Sequence, residues 1–273
     1  MIERKKHGKE ITLEELKVLQ MDILDAIDEF CCKNGIRYSL ACGSLLGAIR
    51  HKGYIPWDDD IDIYVPREDY EKLVNIFPEN YKGRYKIASL ERDSLWDKPY
   101  AKGYDNYTEW EEDAEKKENI GVNIDIFPVD EVPSGEEWTK YNKNRRREQI
   151  LFSMKFIHVN PQRSLFKNLT LILFRVITFF YSTRAWAKRI DKQAQRFNGK
   201  GYDHYFECCQ GIFQKNPFPM HLFDEIVETP FEDRFYKRFA NADIYLRNGF
   251  GDYMKLPPKE KRVSHHAFKA FWK

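Results

Sequence analysis

The sequence predicts a protein of the α/β class, with helices and strands in mixed order (α+β), and three observations predict it. A long amphipathic helical pattern follows Thr12. Two short segments, 60–65 and 121–127, alternate polar and apolar residues with the period of two that a strand with two unlike faces requires. Beyond Pro133 the apolar period becomes helical as far as residue 197. A chain of 273 residues with 42% hydrophobic residues therefore suits one large domain with a mixed sheet and a helical appendage.

The first half of the chain alternates helices with short strands. Thr12 and Glu15 form a capping-box sequence at the start of the first helix, and Gly35 ends it. In chain order the pattern then predicts a strand at 36–41, a short helix at 45–50 after a Gly-Ser turn, a strand at 60–65, a helix from Pro66 to about Phe77, and strands at 85–90, 100–107 and 121–127. The densely charged segment 109–118 is interpreted as a solvated hairpin loop.

The second half is mainly helical before it returns to mixed structure. We predict helices at 135–158, 165–182 and 184–197, a strand at 202–208 and a helix at 240–248. The chain accordingly divides into a catalytic core at 1–133, a helical insertion at 134–200, and a C-terminal segment at 201–273 that completes the core.

Charge and cysteine usage restrict the class of protein. The chain carries 45 basic and 43 acidic residues, and this balance argues against a dedicated nucleic-acid binder. Its five cysteines are odd in number and include two adjacent pairs, which is not the pattern of a secreted disulfide framework. The charged segment Met1–Glu10 does not resemble a signal peptide, and no apolar stretch reaches the length of a membrane span. We therefore expect a cytoplasmic protein.

The strongest chemical pattern is a Gly-Ser turn followed by paired acids. Gly43 and Ser44 lie at a predicted strand-to-helix turn, where backbone N–H groups and a hydroxyl can bind phosphate. Asp60 and Asp62 point to the same face of the next strand, because alternate residues of a strand share a face. Asp125 lies in a later alternating strand and is placed to complete a group of three carboxylates.

Carboxylates held this close favour a hard divalent cation between them, because two like charges repel unless a cation compensates them. The sequence therefore predicts a Mg²⁺ or Mn²⁺ site at Asp60, Asp62 and Asp125. The alternative is that the two strand acids are ordinary polar residues on the exposed face of an edge strand. The upstream Gly-Ser turn and the further acids Asp58 and Asp59 favour the metal site.

Three blocks of sequence carry a family resemblance. Residues 43–62 read GSLLGAIRHKGYIPWDDDID, residues 123–130 read NIDIFPVD, and a C-terminal block contains GFGDYM at 249–254 followed by Pro257, Arg262 and His265. Together they closely resemble the signature of the LicD family, which includes bacterial phosphocholine transferases and is related to the fukutin proteins. The blocks span about residues 40–265, and the middle of the chain, about 135–200, shows no matching motif. Ser44 stands where the family commonly has threonine, which keeps the hydroxyl.

The resemblance implies a polymerase-β-like nucleotidyltransferase core. It also implies transfer of phosphocholine, or a similar phospho-alcohol, from a CDP-activated donor to a sugar hydroxyl of a cell-surface glycan or its lipid-linked precursor. Such glycans include teichoic acid and lipopolysaccharide. The family's catalytic acids map onto Asp60, Asp62 and Asp125, which would also hold the metal.

Further residues follow as candidates for holding the donor. Candidates for binding the donor phosphates are Gly43, Ser44, Arg50, His51, Lys52, Arg262 and His265. Candidates for boxing choline or stacking on the base are Tyr54, Trp57, Trp96 and Tyr100, with Tyr104 as a further one. The alternatives are a solvated basic turn and a surface tail for the first group, and a core role for the aromatic residues.

Three rival functions stay open. The donor could carry glycerol, ribitol or ethanolamine in place of choline, and polar groups around the alcohol would then replace an aromatic box. The protein could instead be a true nucleotidyltransferase using CTP or ATP on an RNA end or an antibiotic, which a continuous basic groove would indicate. A non-catalytic scaffold of a glycan-assembly complex is the third, and failure to bind metal would indicate it.

The segment 163–196 joins an apolar helix to a basic rim. One interpretation is peripheral contact with an anionic membrane at the inner face, where a lipid-linked acceptor would be met. The other, which we favour from sequence alone, is a core helix of the appendage whose basic rim is solvated.

Overall fold

The structure, a computed structural model, describes residues 8–112, 120–155, 157, 159–160, 162–210, 216–263 and 268–273. It confirms a mixed α/β architecture. The α-helices are α1 (Leu13–Asn34), α2 (Cys42–Arg50), α3 (Arg67–Ile76), α4 (Gly135–Ser153), α5 (Leu165–Ile177), α6 (Thr183–Ala194) and α7 (Ala242–Phe250). The strands are β1 (Ser39–Leu40), β2 (Asp62–Pro66), β3 (Tyr85–Ala88), β4 (Ala101–Asp105), β5 (Thr108–Glu112), β6 (Asn123–Val132), β7 (His204–Phe206), β8 (Phe218–Pro219), β9 (Ile226–Phe231), β10 (Arg234–Phe239) and β11 (Phe268–Trp272).

A mixed sheet forms the centre of the molecule. Its order is β1-β2-β6-β4-β3, and β6 continues past β2 and β4 to pair with β7, which in turn pairs with β8. Strands β2 and β6 are parallel, whereas the other pairs of this sheet are antiparallel. The parallel pair lies inside the sheet and is buried, since β2 is buried along its whole length.

The first helix packs on this sheet as its sequence predicts. The Thr12 hydroxyl accepts the Glu15 N–H and the Glu15 carboxylate accepts the Thr12 N–H, so the predicted capping box is confirmed. Gly35 ends α1 in the left-handed conformation at φ 61°. The apolar face of α1, including Ile23, Leu24 and Ile27, belongs to the main hydrophobic core.

Several predicted boundaries are corrected by the structure. The strand predicted at 36–41 is reduced to Ser39–Leu40, and the short helix begins at Cys42 rather than 45, so the Gly-Ser pair lies inside its first turn. The strand predicted from residue 60 begins at Asp62. The apolar period locates these elements, but tertiary packing decides their ends.

The charged segment 109–118 is not simply a solvated loop, and for its first residues that prediction is wrong. Strand β5 includes Glu109, Trp110 and Glu111 and pairs antiparallel with β11. Residues 113–119 lie outside the described part of the chain. The pairing joins segments more than 150 residues apart, and a local charge pattern carries no signal for it.

In the described part of the predicted insertion 134–200, the α-helices are α4, α5 and α6. The core-helix interpretation of the apolar segment is wrong for α5, within which only Asn168 and Leu171 are buried. The neighbouring helix α6 does bury one face, with Trp186, Ala187 and Ile190. None of the helices in the described ranges is both long and apolar enough to cross a membrane.

Candidate active site

A cleft of about 470 Å³ opens beside the parallel strand pair. Four carboxylates from β2, β6 and the loop before β2 line it: Asp58, Asp60, Asp62 and Asp125. Its other lining residues come from α2, the loop after it, Gln210, and α7 with the segment that follows: Gly43, Leu46, Arg50, Ile55, Trp57, Gln210, Phe250, Asp252, Tyr253, Lys255, Pro257 and Val263.

Strand register places two of the acids side by side. Asp62 of β2 is the direct partner of Asp125 of β6, and the Asp125 N–H donates to the Ile61 carbonyl at 2.9 Å. Paired residues of neighbouring strands project to the same face, so both side chains point into the cleft. Asp60 precedes β2 by two residues and lines the same cleft. The structure therefore brings together the three acids that the sequence singles out.

Asp62 is a carboxylate in an unfavourable place. Its residue is 7% exposed, and burial raises its pKa well above the ordinary value, with further increases from Asp60, Asp125 and Asp58. Lys102 opposes this shift and lowers the pKa. The charged form of Asp62 is thus costly in the absence of a compensating cation.

Lys102 is a functional candidate that the sequence did not single out. It pairs with Asp125 across β4 and β6, its ammonium lies 2.9 Å from Asp125 Oδ1, and it donates to Asn123 Oδ1 at 2.8 Å. Asp125 Oδ1 is buried and accepts no hydrogen bond from the described residues. Its contact with the Lys102 ammonium is therefore an ion pair. A lysine in the middle of a buried strand was the available signal.

The acids fit a divalent cation that also takes ligands from water and substrate. In the part of the chain that the structure describes, no three His, Cys, Asp or Glu side chains form a ready-made metal-binding group. Mg²⁺ in proteins is usually held by one or two carboxylates, with water and substrate phosphates completing its shell. The repulsion among the acids around Asp62, which Lys102 offsets only in part, suits this mode of binding.

Helix α2 fixes the acid strand through its first turn. The Ser44 hydroxyl is buried and accepts the Asp62 N–H at 2.9 Å, so it positions an acid rather than facing the cleft. Gly43 lines the cleft, and a Cβ at this position would lie 2.5 Å from Asp58 Oδ2. Cys42, with φ 45°, is held by its N–H, which donates to the Tyr245 hydroxyl at 3.1 Å.

Helix α1 supports the acid-bearing segments through the side chain of Gln20. The buried Gln20 side chain donates through Nε2 to the Asp59 carbonyl at 2.9 Å and to the Asn123 carbonyl at 3.3 Å. One amide thereby connects the segment before β2 with the start of β6. This residue was not singled out from the sequence, because a glutamine within a helix carries no chemical signal of its own.

The three consecutive basic candidates at 50–52 differ in position. Arg50 lines the cleft and donates to the Tyr253 carbonyl at 2.7 Å and to His51 Nε2 at 2.9 Å. Burial and then Arg262 lower the pKa of Arg50, and burial and then Arg50 lower the pKa of His51. Lys52 is exposed, has φ 63° and does not line the cleft.

Of the predicted aromatic residues, Trp57 alone lines the cleft. The Arg262 guanidinium lies 5.8 Å from the centre of its ring, and the His51 ring meets it edge-on at 6.2 Å. This contact places Arg262 next to a cleft residue that lies more than 200 residues earlier in the sequence. His265 lies outside the described residues.

The other aromatic candidates belong to the interior. Tyr54 is buried, and its hydroxyl donates to Gln20 Oε1 at 3.0 Å. The Trp96 indole donates to the Tyr100 carbonyl at 2.8 Å, and Tyr100 packs against Phe127 with ring centres 4.7 Å apart. Tyr104 packs against a small hydrophobic cluster that includes Trp96. These four side chains do not line the cleft.

Comparison with known proteins defines the class to which this fold and site belong. A family model described as "LicD/FKTN/FKRP, nucleotidyltransferase domain" matches residues 35–171. The lipopolysaccharide cholinephosphotransferase LicD of Haemophilus influenzae is 30% identical over 273 residues, which cover 96% of this chain and 99% of that protein. The ribitol 5-phosphate transferase FKRP of mouse is 29% identical over 124 residues, 45% of this chain and 22% of that protein.

The protein is an enzyme of the phosphotransferase class. The chain belongs to the LicD family, because its similarity to a family member extends over nearly the whole length of both proteins. The acid-lined cleft falls mainly within the matched region, although the residues from α7 onward lie beyond residue 171.

Proposed function

We propose that the protein transfers phosphocholine from CDP-choline to a sugar hydroxyl of a cell-surface glycan or its lipid-linked precursor, with Mg²⁺ or Mn²⁺ as cofactor. The observation that carries the proposal is the register of Asp62 with Asp125 on parallel strands, inside a cleft that Asp60 also lines. The name of the near full-length bacterial relative supports choline as the alcohol. We further propose that the central sheet is a polymerase-β-like nucleotidyltransferase core.

In the proposed reaction the acceptor hydroxyl attacks the phosphorus that bears the alcohol. A new oxygen–phosphorus bond forms, the bond to the bridging oxygen breaks, and CMP leaves. Asp125, which lines the cleft with its Oδ1 paired to the Lys102 ammonium, is the proposed acceptor of the hydroxyl proton. A bound divalent cation would supply charge neutralisation at the phosphates.

The donor needs an orientation that the cleft can provide. A nucleotidyl transfer attacks the phosphorus next to the nucleoside, whereas this reaction attacks the outer one. We therefore place the alcohol near the acids and the cytidine farther along the cleft. Arg50 is the proposed phosphate contact, with Arg262 and His51 beside it, and Trp57 is the proposed aromatic contact.

A second donor is favoured by one specific observation. A family relative is named as a ribitol 5-phosphate transferase, and ribitol is a polyol. Of the five aromatic residues proposed to contact choline or the base, Trp57 lines the cleft; Phe250 and Tyr253 line it too, together with Asp252 and Lys255. Polar groups of this kind suit the hydroxyls of ribitol or glycerol.

The five free cysteines are consistent with action in the cytoplasm, which is part of the proposal. The acceptor is met there as a lipid-linked glycan precursor.

Calorimetric titration tests the function directly. CDP-choline, CDP-ribitol, CDP-glycerol and CTP are titrated with Mg²⁺ or with EDTA into wild type, Asp62→Asn and the control Asp224→Asn, whose carboxylate is exposed outside the cleft. We expect magnesium-dependent binding of CDP-choline that Asp62→Asn abolishes and Asp224→Asn retains. Preference for a CDP-polyol would overturn the donor, and preference for CTP would overturn the transfer reaction.

A further inference from the structure

The helical insertion presents a large apolar surface to solvent. We define the α5 face as the exposed apolar side chains of α5 and the turn after it: Leu165, Phe166, Leu169, Ile172, Leu173, Val176, Ile177, Phe179 and Phe180. Phe166 is 79% exposed and Phe180 is 96% exposed. Single exposed apolar residues are ordinary, but a contiguous set of this size marks an interaction surface.

The α5 face is not the result of a helix that packs poorly. Its opposite side is fixed to the insertion by Phe174, whose ring centre lies 5.9 Å from that of Trp186, and by Lys155, which donates to the Thr178 carbonyl at 2.6 Å. Arg175 donates to the Ile157 carbonyl at 2.8 Å. The helix is therefore held in place while its apolar side stays uncovered.

Helix α6, whose Trp186 contacts Phe174 of α5, is in turn fixed to the core. In α6, Arg184 donates to the carbonyls of Leu90 at 2.8 Å and Trp96 at 2.6 Å. The Thr183 hydroxyl donates to Asp97 Oδ2 at 2.6 Å. A ligand of the α5 face would consequently be held in a defined orientation relative to the sheet that carries the acids.

Charge identifies the partner. Residues 149–190 contain no aspartate or glutamate but seven lysines and arginines, although the whole chain is nearly balanced. Three of the seven, Lys155, Arg175 and Arg184, bind backbone carbonyls of the chain, and Arg189 pairs with Glu148. Lys167 and Lys188 are exposed within this stretch. Cationic side chains around an apolar helix face are the combination that binds the interface of an anionic membrane. A second copy of the same face would instead bring like charges together.

We propose that the α5 face docks this enzyme onto anionic lipid at the membrane surface, with α5 lying in the plane of the interface. The thirteen residues of α5 are too few to span a bilayer, which fits a helix that rests on the surface. Docking would hold the cleft beside a lipid-linked acceptor. Docking on the membrane does not depend on which donor the enzyme uses. An experiment can therefore contradict the proposed donor without contradicting docking, and the reverse.

Vesicle co-sedimentation tests the docking. Wild type, Phe166→Ser/Phe180→Ser and the control Phe235→Ser are mixed with vesicles of phosphatidylglycerol and phosphatidylcholine, or of phosphatidylcholine alone, at low and high salt. Phe235 is also an exposed phenylalanine, at 64%, but lies on β10. We expect wild type and Phe235→Ser to bind the anionic vesicles, and the double variant to bind about tenfold or more weakly.

High salt should weaken binding because it screens the cationic side chains. Thermal unfolding and donor titration should be unchanged in the double variant, since both side chains are exposed and outside the cleft. Equal binding to neutral vesicles would overturn the anionic assignment. Absence of vesicle binding by wild type, or dimerisation in sedimentation experiments that the double variant loses, would overturn the membrane proposal.

Discussion

Asp62 shows at the scale of one residue how a site can oppose the stability of its fold. A buried carboxylate beside Asp60, Asp125 and Asp58 is disfavoured in its charged form, as its raised pKa indicates. Lys102, which lies 2.9 Å from Asp125 Oδ1, compensates only part of this charge. Such a cost persists where the group has a task that a neutral side chain cannot perform.

Replacement of Asp62 by asparagine should therefore abolish transfer and increase stability. With a chelator present, we expect the free energy of unfolding at neutral pH to rise by roughly 1 to 3 kcal/mol, because the variant buries no charge. With Mg²⁺, the melting temperature of wild type should rise while that of Asp62→Asn stays constant. Thermal and urea unfolding measure both effects.

The pH dependence of this difference has a defined sign. Because the folded pKa of Asp62 lies above the ordinary value of 3.8, the native state binds more protons than the unfolded state just above that pH. Wild-type stability therefore falls as the pH rises from 3.8 through the raised pKa. The advantage of Asp62→Asn should be greatest above this window and absent below it, and a difference that does not vary with pH would contradict the assignment.

From the sequence it was possible to predict which acids lie together, because strand periodicity fixes the direction in which side chains point. Asp60 and Asp62 both line the cleft, as predicted, although Asp60 precedes the strand, and pairing adds Asp125. The same reasoning could not foresee that the Ser44 hydroxyl is bound by the Asp62 N–H, or that Lys102 lies across from Asp125. Both facts depend on how strands and helices pack, which local sequence does not encode.

Among the elements, the hairpin of β9 and β10 supports the loop that leads to the acids. Glu232, at the turn with φ 55°, donates its N–H to the Lys52 carbonyl at 2.7 Å and accepts the Tyr54 N–H on Oε1 at 2.9 Å. Gly53 lies between these contacts, and a Cβ there would clash with the Glu232 carboxylate. The hairpin thus sets the path of the chain toward Trp57.

Removal of the Glu232 side chain should loosen this loop. Glu232→Ala leaves the Tyr54 N–H without its acceptor, and we expect a loss of about 1 to 3 kcal/mol in the free energy of unfolding. Donor affinity should fall as well, since Trp57 follows on the same loop. Glu232→Gln retains an acceptor oxygen and serves as the control. Equal unfolding curves for the alanine variant and wild type would contradict the role.

Elements with a strong local period were predictable, whereas several strands without one were not. Helix α1 was located to within two residues by its capping box and Gly35. Strand β11 and the β9–β10 hairpin were missed, and β5 was interpreted as a loop. Their charged and aromatic residues alternate only over a few positions, so the partner strand supplies the stabilisation that the sequence window lacks.

Across the whole molecule, one buried arginine connects the sheet to the helical insertion. Arg67 binds both oxygens of Asp130 in β6, each at 2.7 Å, and Asp191 in α6 at 2.8 Å. Burial raises the pKa of Asp191 to about 6, although Arg67 opposes the shift. Asp130 is fully buried and also accepts from the Asn198 amide at 2.8 Å.

Loss of this arginine should destabilise the whole fold. Arg67→Met leaves the Asp130 carboxylate buried without its cation, which typically costs about 3 to 5 kcal/mol. Arg37→Met is the matched control, because Arg37 pairs with Asp69 at the surface and such pairs contribute about 1 kcal/mol or less. Urea unfolding compares the two variants, and similar losses in both would contradict the proposed coupling.

The pairing of β6 with β7 has a consequence for how this architecture can change. The chain leaves the sheet after Val132 and re-enters it at His204, and these two residues lie directly across from each other in the ladder. A tight turn could close the same hairpin, so the ladder sets no length for the residues between them. That segment could change in length without shifting the register that aligns Asp62 with Asp125, provided that it still supplies core side chains such as Trp138 and Phe197.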